Sequence, residues 1–515
     1  MFEDIVGKSP NKLAVIDGNT RLSYAEVSER VDTVARALIS AGIESGDRVA
    51  IWLPNGWQWI VCALAAMTIG AAVVPINTRF KKDELVLVLG KARPKLIFLL
   101  DSFLGNTLLQ HFRAAAEELA RDGCPIPAAV ACEETDRAWR DFWQSSRLAD
   151  RALVETKRKR VDGTAVSDII FTSGTTGFPK GVITLHSQNL RAYFDTGQYE
   201  QHSANDVFGV ILPFSHSFGF KAGWMKAFLF GATVCTFPRL DASQLLASIE
   251  KHRISFLPGP PTVFYSLLDH PNKNDYDLSS LRLSVVGSTY VPETLVERML
   301  HELHFAHVLS AYGLTEATAV GIMCRIGDSL DAIINSVGRP IHDVEMRIVK
   351  PDGHVAGPGE PGEIQMRGYH VMRGYYEDPK ETAKAISADG WLQTGDLGEL
   401  RADGNVGLRG RLRDMLIVGG FNTYPLEIEN ALRRHEAVAD VAIVGMPDAR
   451  LGEVPAAFVI LRDGCQVSSI EMRDWAAERI ANYKVPRAWH FLRDFPTNAS
   501  GKVLKRELEK ILLDN

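Results

Sequence analysis

The stretch Phe171-Thr-Ser-Gly-Thr-Thr-Gly-Phe-Pro-Lys-Gly-Val182 concentrates groups that bind an anion. Gly174, Gly177 and Gly181 let the backbone bend and come close to a ligand. The hydroxyls of Thr172, Ser173, Thr175 and Thr176 join the free backbone N–H groups as donors, and Lys180 adds a point charge. Composition and local order describe a phosphate cradle. It is not the Gly-x-x-x-x-Gly-Lys-Ser/Thr loop, because Lys180 is followed by Gly181. By composition alone the competing reading is a polar surface loop.

Other segments carry chemistry-bearing residues. Ser310-Ala-Tyr312-Gly313-Leu314-Thr315-Glu316-Ala317 offers a hydroxyl and a hard carboxylate suited to Mg²⁺, although a lone Thr-Glu pair also reads as a helix cap. Thr394-Gly395-Asp396 and Gly410-Arg411-Leu-Arg413-Asp414 follow, then Gly419-Gly420-Phe421, where the backbone can approach a ligand closely. Near the C-terminus Ser500-Gly501-Lys502 puts a lysine after a glycine turn. Leu212-Pro-Phe-Ser-His216-Ser-Phe-Gly219 sets an imidazole among apolar residues and runs on through Phe220 and Lys221. For Lys221 two readings stay open: an ammonium that snorkels to solvent, or one that donates to an oxygen of a polar ligand. No Gly-x-Ser-x-Gly elbow of a Ser-His-Asp hydrolase is present.

In this order and spacing, S-G-T-T-G-x-P-K-G, Y-G-x-T-E, T-G-D, G-R-x-R-D and the terminal Gly-Lys resemble the adenylate-forming superfamily over nearly the whole chain. That superfamily holds acyl-CoA synthetases, peptide-synthetase adenylation domains and luciferases. The resemblance implies ATP, Mg²⁺ and coenzyme A as reactants with a small-molecule carboxylic acid, through an acyl-adenylate. It implies Lys502, Thr175, Glu316 and His216 as catalytic, with Glu316 as the metal ligand. Thr172, Ser173, Gly174, Thr176, Lys180, Gly287, Ser288, Tyr312, Gly313 and Thr315 fall on the nucleotide. Asp396 and Arg411 fall on its ribose side. Gly419, Gly420 and Phe421 fall on the pantetheine arm. His216, Phe220, Lys221, Thr289 and Leu314 fall on the acyl pocket, and Arg413 on the hinge, where Arg departs modestly from the family's usual Asp or Lys.

Phe218-Gly-Phe-Lys-Ala-Gly223, Leu257–Thr262, Met323-Cys-Arg325 and Val418–Asn422 are similar to the ligases of bacterial steroid catabolism that activate a bicyclic, oxo-bearing propionate. Such an acid is the expected substrate, with medium or long fatty acids next. An adenylation module loading a carrier protein and a non-catalytic binder on a degenerate scaffold are the competing classes. Intact Lys180, Glu316, Asp396, Arg411 and Lys502 disfavour the binder.

The elements that must position these residues follow from patterning. The chain of 515 residues is 46% hydrophobic and 23% charged, which allows several domains or subdomains. A net charge of −6 argues against a nucleic-acid partner. Six Cys without a C-x-x-C pair argue against a zinc ribbon or a disulfide framework. The N-terminus shows no basic-then-apolar signal, so a cytoplasmic location is expected. A homodimer is compatible with the resemblance.

The apolar run 59–76 is divided by Gly70 and reads as helix Trp57–Ile69 then strand Ala71–Ile76 rather than a membrane span. Ser23 with Glu26 predicts a capped helix to about Ala41, and 166–171 a short buried strand. Strands are expected at 47–53, 95–100, 207–212, 232–237, 254–257 and 281–286, a helix at 222–230, and antiparallel strands across 335–410. The basic run at 157–160 reads as a solvated linker. Gly357-Pro-Gly-Glu-Pro-Gly362 matches G-x-G-x-x-G only formally, since its prolines lack the N–H donors a pyrophosphate needs. The expected architecture is α/β. Residues 1–412 form a large N-terminal domain of α/β sheets plus a distorted β-barrel, and 413–515 a small mobile α+β domain.

Overall fold

Ser23 closes the strand Thr20–Ser23 and opens the helix Tyr24–Ser40. Its hydroxyl accepts the Glu26 N–H at 3.3 Å, and the Glu26 carboxylate accepts the Ser23 N–H at 2.8 Å, the reciprocal cap that Ser-x-x-Glu predicts. The computed structural model describes residues 2–133, 137–172, 179–287, 291–418, 421–448, 450–497 and 503–513. The apolar run divides at Gly70, which takes φ +82° between helix Trp57–Thr68 and strand Ala72–Pro75. Among the described residues no helix is long and apolar enough to cross a membrane.

The chain divides into two compact units. The first comprises Met1–Ile334, Gly338–Glu345 and Arg367–Leu392. Its largest sheet has seven strands in the spatial order Gly374–Tyr375, Lys180–Leu185, Val166–Thr172, Ala72–Pro75, Arg48–Trp52, Leu96–Leu99 and Ala128–Ala131. The last five strands run parallel. Ala72–Pro75 and Leu96–Leu99 are buried at every residue, as strands covered on both faces must be. Val166–Thr172 and Lys180–Leu185 pair antiparallel, so the phosphate-loop segment connects two strands of a hairpin. Among the described residues the unit also holds two four-stranded sheets: Thr20–Ser23, Leu13–Asp17, Thr233–Thr236, Val207–Val210, and Leu283–Val286, His307–Tyr312, Ile322–Met323, Arg339–Pro340.

The second unit comprises Asn335–Val337, Met346–Met366 and Gln393–Asn515. An antiparallel pair, Leu392–Leu400 with Val406–Arg411, lies at one side of a four-stranded sheet that also holds Val344–Val349 and Gly362–Gly368. A second sheet holds Phe421–Thr423, Leu416–Val418, Gly452–Leu461 and Val438–Asp448, with Ala488–Leu492 added in parallel to Gly452–Leu461.

Four expectations change. Among the described residues the strands form open sheets, and none closes into a barrel. Residues 254–257 contribute only isolated bridges through Phe256, to Phe208 and Leu283. The basic run ends a helix, Arg151–Arg160, whose N-terminus is capped by Asp150 and whose last-turn cations suit the negative end of the helix dipole. The helix expected from Ala222 starts earlier, as a wide π-helical turn Phe218–Met225 running into Lys226–Leu229. Gly219 is forced there: a β-carbon would lie 2.3 Å from the Leu212 carbonyl oxygen and 2.4 Å from that of Pro213.

Candidate active site

Gly313 explains how Thr315 and Glu316 are presented. A β-carbon on Gly313 would come within 2.4 Å of the Ala319 carbonyl, so only glycine lets the chain after strand His307–Tyr312 fold back on itself. Thr318 and Ala319 then take φ +55° and +68°, a left-handed pair that turns the segment. The turn is held from outside: the Thr318 hydroxyl donates to the His370 carbonyl at 2.6 Å, and the Met372 N–H donates to the Glu316 carbonyl at 2.8 Å.

The side chains then form a chain of contacts. The Tyr375 hydroxyl donates to Glu316 Oε1 at 2.9 Å. Lys180 lies 5.1 Å from the centre of the Tyr375 ring and pairs with Glu381. Burial, reinforced by the Glu316 charge, pushes the Tyr375 phenol far above its ordinary range, so it remains a donor. Hydrogen bonds from Lys180 and Lys384 pull the Glu381 carboxyl down to about 2, so it stays ionised. Thr315 Oγ1 and Ser217 Oγ lie 3.2 Å apart, which joins this turn to the segment carrying His216. Thr172 stands directly opposite Lys180 in the hairpin. Tyr312 is 9% exposed, Leu314 is half-buried, and Gly287 is buried at the end of strand Leu283–Val286.

His216 is set by Asn55. The Asn55 amide donates to the Leu212 carbonyl at 2.8 Å and accepts the Phe214 N–H at 2.7 Å, fixing the loop that enters the wide turn. His216 Nδ1 accepts the Phe218 N–H at 3.3 Å, which leaves the ring proton on Nε2. Burial lowers the His216 pKa, favouring the neutral ring. Phe218 edges toward Gly287, 3.9 Å from where a β-carbon there would sit.

Two residues assigned to the acyl pocket do something else. Phe220 is fully buried, stacked on Trp224 at 5.3 Å and set edge-on to Trp59 at 5.1 Å, so it belongs to the aromatic core. Lys221 neither snorkels nor waits for a ligand. Its ammonium is fully buried, 3.0 Å from Asp168 Oδ1 and 2.9 Å from Thr184 Oγ1. A lysine alone in an apolar stretch gave no sign that an aspartate 53 positions earlier would meet it.

In the second unit Asp396 and Arg411 are cross-strand neighbours, with Arg411 Nε 3.1 Å from Asp396 Oδ1. The Thr394 hydroxyl donates to the Ile364 carbonyl at 2.6 Å and accepts the Asp396 N–H at 3.1 Å, fixing the strand at the aspartate. Arg413 is exposed in the turn Leu412–Asp414, 3.4 Å from Asp414. The backbone of Phe421 pairs with Val418. Glu429 is buried, accepts the Ile443 N–H at 2.9 Å and pairs with Lys505 at 2.8 Å. The Thr497–Val503 bridge and the 2.8 Å bond from Leu504 N–H to the Pro496 carbonyl close the ends of the terminal lysine loop. Ser173, Gly174, Thr175, Thr176, Ser288, Thr289, Gly419, Gly420 and Lys502 lie outside the described residues.

Residues 2–376 match the family described as AMP-binding enzyme, and residues 427–502 match the AMP-binding enzyme C-terminal domain. The chain belongs to the AMP-binding enzyme family. This AMP-binding enzyme is 42% identical, over 99% of its length and 98% of the relative's, to a 3-(7a-methyl-1,5-dioxo-octahydro-1H-inden-4-yl)propanoyl:CoA ligase of Mycobacterium tuberculosis. It is 41% identical to the ligase of the same description from Rhodococcus jostii, over 96% of this chain and 95% of the relative. The ATP-bound structure of MatB from Rhodopseudomonas palustris superposes with a TM-score of 0.88 at 26% identity, covering 100% of this chain and 98% of the other.

The AMP-binding enzyme is thus an AMP-forming acyl-CoA synthetase of the adenylate-forming superfamily. A carboxylate oxygen attacks the ATP α-phosphorus, the bond to pyrophosphate breaks, and acyl-adenylate forms. The thiolate of coenzyme A then attacks the acyl carbon and AMP leaves. Sequence reasoning missed Tyr375, Asn55 and Asp168. Each acts on a segment far away in the chain, and no local pattern marks it.

Proposed function

We propose that this synthetase activates a bicyclic, indane-type propionate bearing ring oxygens. The reading is supported by the identity of 42% over almost the full chain to a ligase described for such an acid. His216 Nε2–H, with Nδ1 already taken by the Phe218 N–H, is the donor offered to an oxygen of the acid. Phe218 supplies an apolar edge beside Gly287. Recognition of the ring oxygen does not pass through Lys221, which is spent on Asp168 and Thr184.

Glu316 is the proposed Mg²⁺ ligand. Tyr375 occupies Oε1 and orients the carboxylate, leaving Oε2 for a metal. A single carboxylate together with substrate phosphates is the arrangement Mg²⁺ commonly takes, and the hardness of the donor fits it. When bound, the ion would neutralise charge on the phosphates. Lys180 and the hydroxyls of Thr172 and Thr315, with Thr175 on the connecting loop, hold the phosphates. Asp396 accepts from the ribose hydroxyls, and Arg411, aligned by it, holds the ribose and phosphate side. Lys502 stabilises charge during adenylation only, and Gly419–Phe421 admits the pantetheine arm afterwards. Arg413 is the proposed hinge, with the moving domain beginning there.

The test compares kcat/KM for coenzyme A-dependent AMP release with a ring-oxo indane propionate, its deoxy analogue, octanoate and palmitate. The ring-oxo acid is expected to lead. Preference for the plain fatty acids overturns the substrate class while leaving the ligase chemistry in place.

A further inference from the structure

Lys221 and Asp168 are both fully withdrawn from solvent, and their charges face each other at 3.0 Å. Such a pair carries a desolvation cost that an apolar pair of similar volume would avoid, so it is weak evidence for stability. The bonds around it are specific. Thr184 Oγ1 donates to Asp168 Oδ1 at 2.9 Å and accepts from Lys221 at 2.9 Å, while the Asn189 amide donates to Asp168 Oδ2 at 2.7 Å. Four elements meet at one carboxylate: strand Val166–Thr172, strand Lys180–Leu185, helix His186–Tyr199 and the wide turn Phe218–Met225.

Two of those elements lead to the reacting groups. The wide turn follows His216 and Ser217 directly, and Ser217 touches Thr315. In the hairpin, Asp168 stands opposite Thr184, and four residues along Thr172 stands opposite Lys180. That is about 13 Å of continuous two-stranded ladder at the usual rise per residue. The acid-side turn and the lysine on the phosphate side are therefore tied to one frame through this buried pair.

We propose that Asp168 and Lys221 are positioning residues for adenylation, holding the His216 turn and Lys180 in mutual register. This rests on the ligase reading above. Adenylation joins two separate molecules, so its rate depends on how well the carboxylate is aligned with the α-phosphorus. Once the acyl-adenylate exists, a covalent bond keeps that alignment, and attack by coenzyme A no longer depends on the frame.

The experiment measures both half-reactions in Lys221→Met and in Asp168→Asn/Lys221→Met. The double variant removes both charges together, keeps amide bonds at position 168, and is the one expected to fold even where the single variant does not. Acid-dependent pyrophosphate–ATP exchange is expected to fall about 10- to 100-fold in kcat, the size of loss that small misplacement of reactants produces, with KM for ATP within about threefold. Thioester formation from supplied acyl-adenylate and coenzyme A is expected within about threefold of the unmodified enzyme. Exchange at the unmodified rate in the folded double variant overturns the proposal, as does equal loss of both half-reactions. Absence of thioester in the unmodified enzyme would instead strike the ligase reading itself.

Discussion

The Tyr375 hydroxyl reaches back 59 residues to donate a 2.9 Å hydrogen bond to Glu316 Oε1. This bond fixes which carboxylate oxygen stays available, and the Lys180 ammonium lying over the same ring ties the phosphate-side lysine to it. Replacing the hydroxyl removes an orienting bond to an ionised group, which is worth about 1.5–3 kcal/mol. Tyr375→Phe is therefore expected to lower pyrophosphate exchange about 10- to 100-fold on that energy. Its half-saturating Mg²⁺ concentration should also rise. A Mg²⁺ titration checks this; an unchanged midpoint and rate would separate Tyr375 from the metal site.

In sequence Lys502 falls between Thr497 and Val503, which form a bridge, and shortly before Lys505, which pairs with Glu429. Lys502→Ala is expected to lose adenylation by about 100-fold or more, the range for removal of a charge-stabilising group in a transition state. Conversion of supplied acyl-adenylate to thioester should persist. Rapid-quench measurement of each half-reaction decides, and equal losses would remove the proposed role.

Gly313→Ala tests the turn rather than the chemistry. The new methyl meets the Ala319 backbone at 2.4 Å, which no side-chain movement can relieve. Overpacking of this kind costs about 1–3 kcal/mol. Because the strain falls two residues from Thr315, activity should fall further than the melting temperature suggests. Wild-type exchange rates in the variant would show that the turn tolerates a shift.

Buried histidines are expected to contribute to the acid limb of stability. His370 is fully buried, and among the described residues neither ring nitrogen has a hydrogen-bond partner; burial pushes its pKa down to about 4. Burial also lowers His186 and His216. A base whose folded pKa is depressed binds fewer protons folded than unfolded below its unfolded value. Its contribution is present above about pH 6.5 and is lost as pH falls, for His370 through about 4. Each such histidine contributes a slope of at most about 1.4 kcal/mol per pH unit inside that window. Urea unfolding from pH 7.5 to 5 should show falling stability, with a flatter slope in His370→Met. An unchanged slope would show that other groups carry the effect.

Local chemistry was legible where the residues that act together are close in sequence. The Ser23–Glu26 cap and the break at Gly70 are written in short spacings, and the structure realises them. Lys221 was not legible. Its partners come from two strands separated from it by 53 and 37 positions, and a lysine in an apolar run carries no mark of a buried counter-charge. Phe220 was placed by its motif alone, and a motif does not say which way a side chain turns: it packs into the aromatic core against Trp59 and Trp224. The distorted barrel was implied by the family resemblance, whereas the strands of 344–411 form one open four-stranded sheet; a strand pattern in the sequence says nothing about closure.

The order of the seven-stranded sheet bears on how the chain is made. Its outer strand Gly374–Tyr375 pairs with Val182 and Ile183, so one edge of the sheet stays unprotected until nearly 190 further residues have emerged from the ribosome. At about 5–20 residues per second that interval is about 10–40 s. An unpaired strand edge is a template for mispairing. The same late segment that orients Glu316 is thus also the piece that closes off the nascent sheet against aggregation.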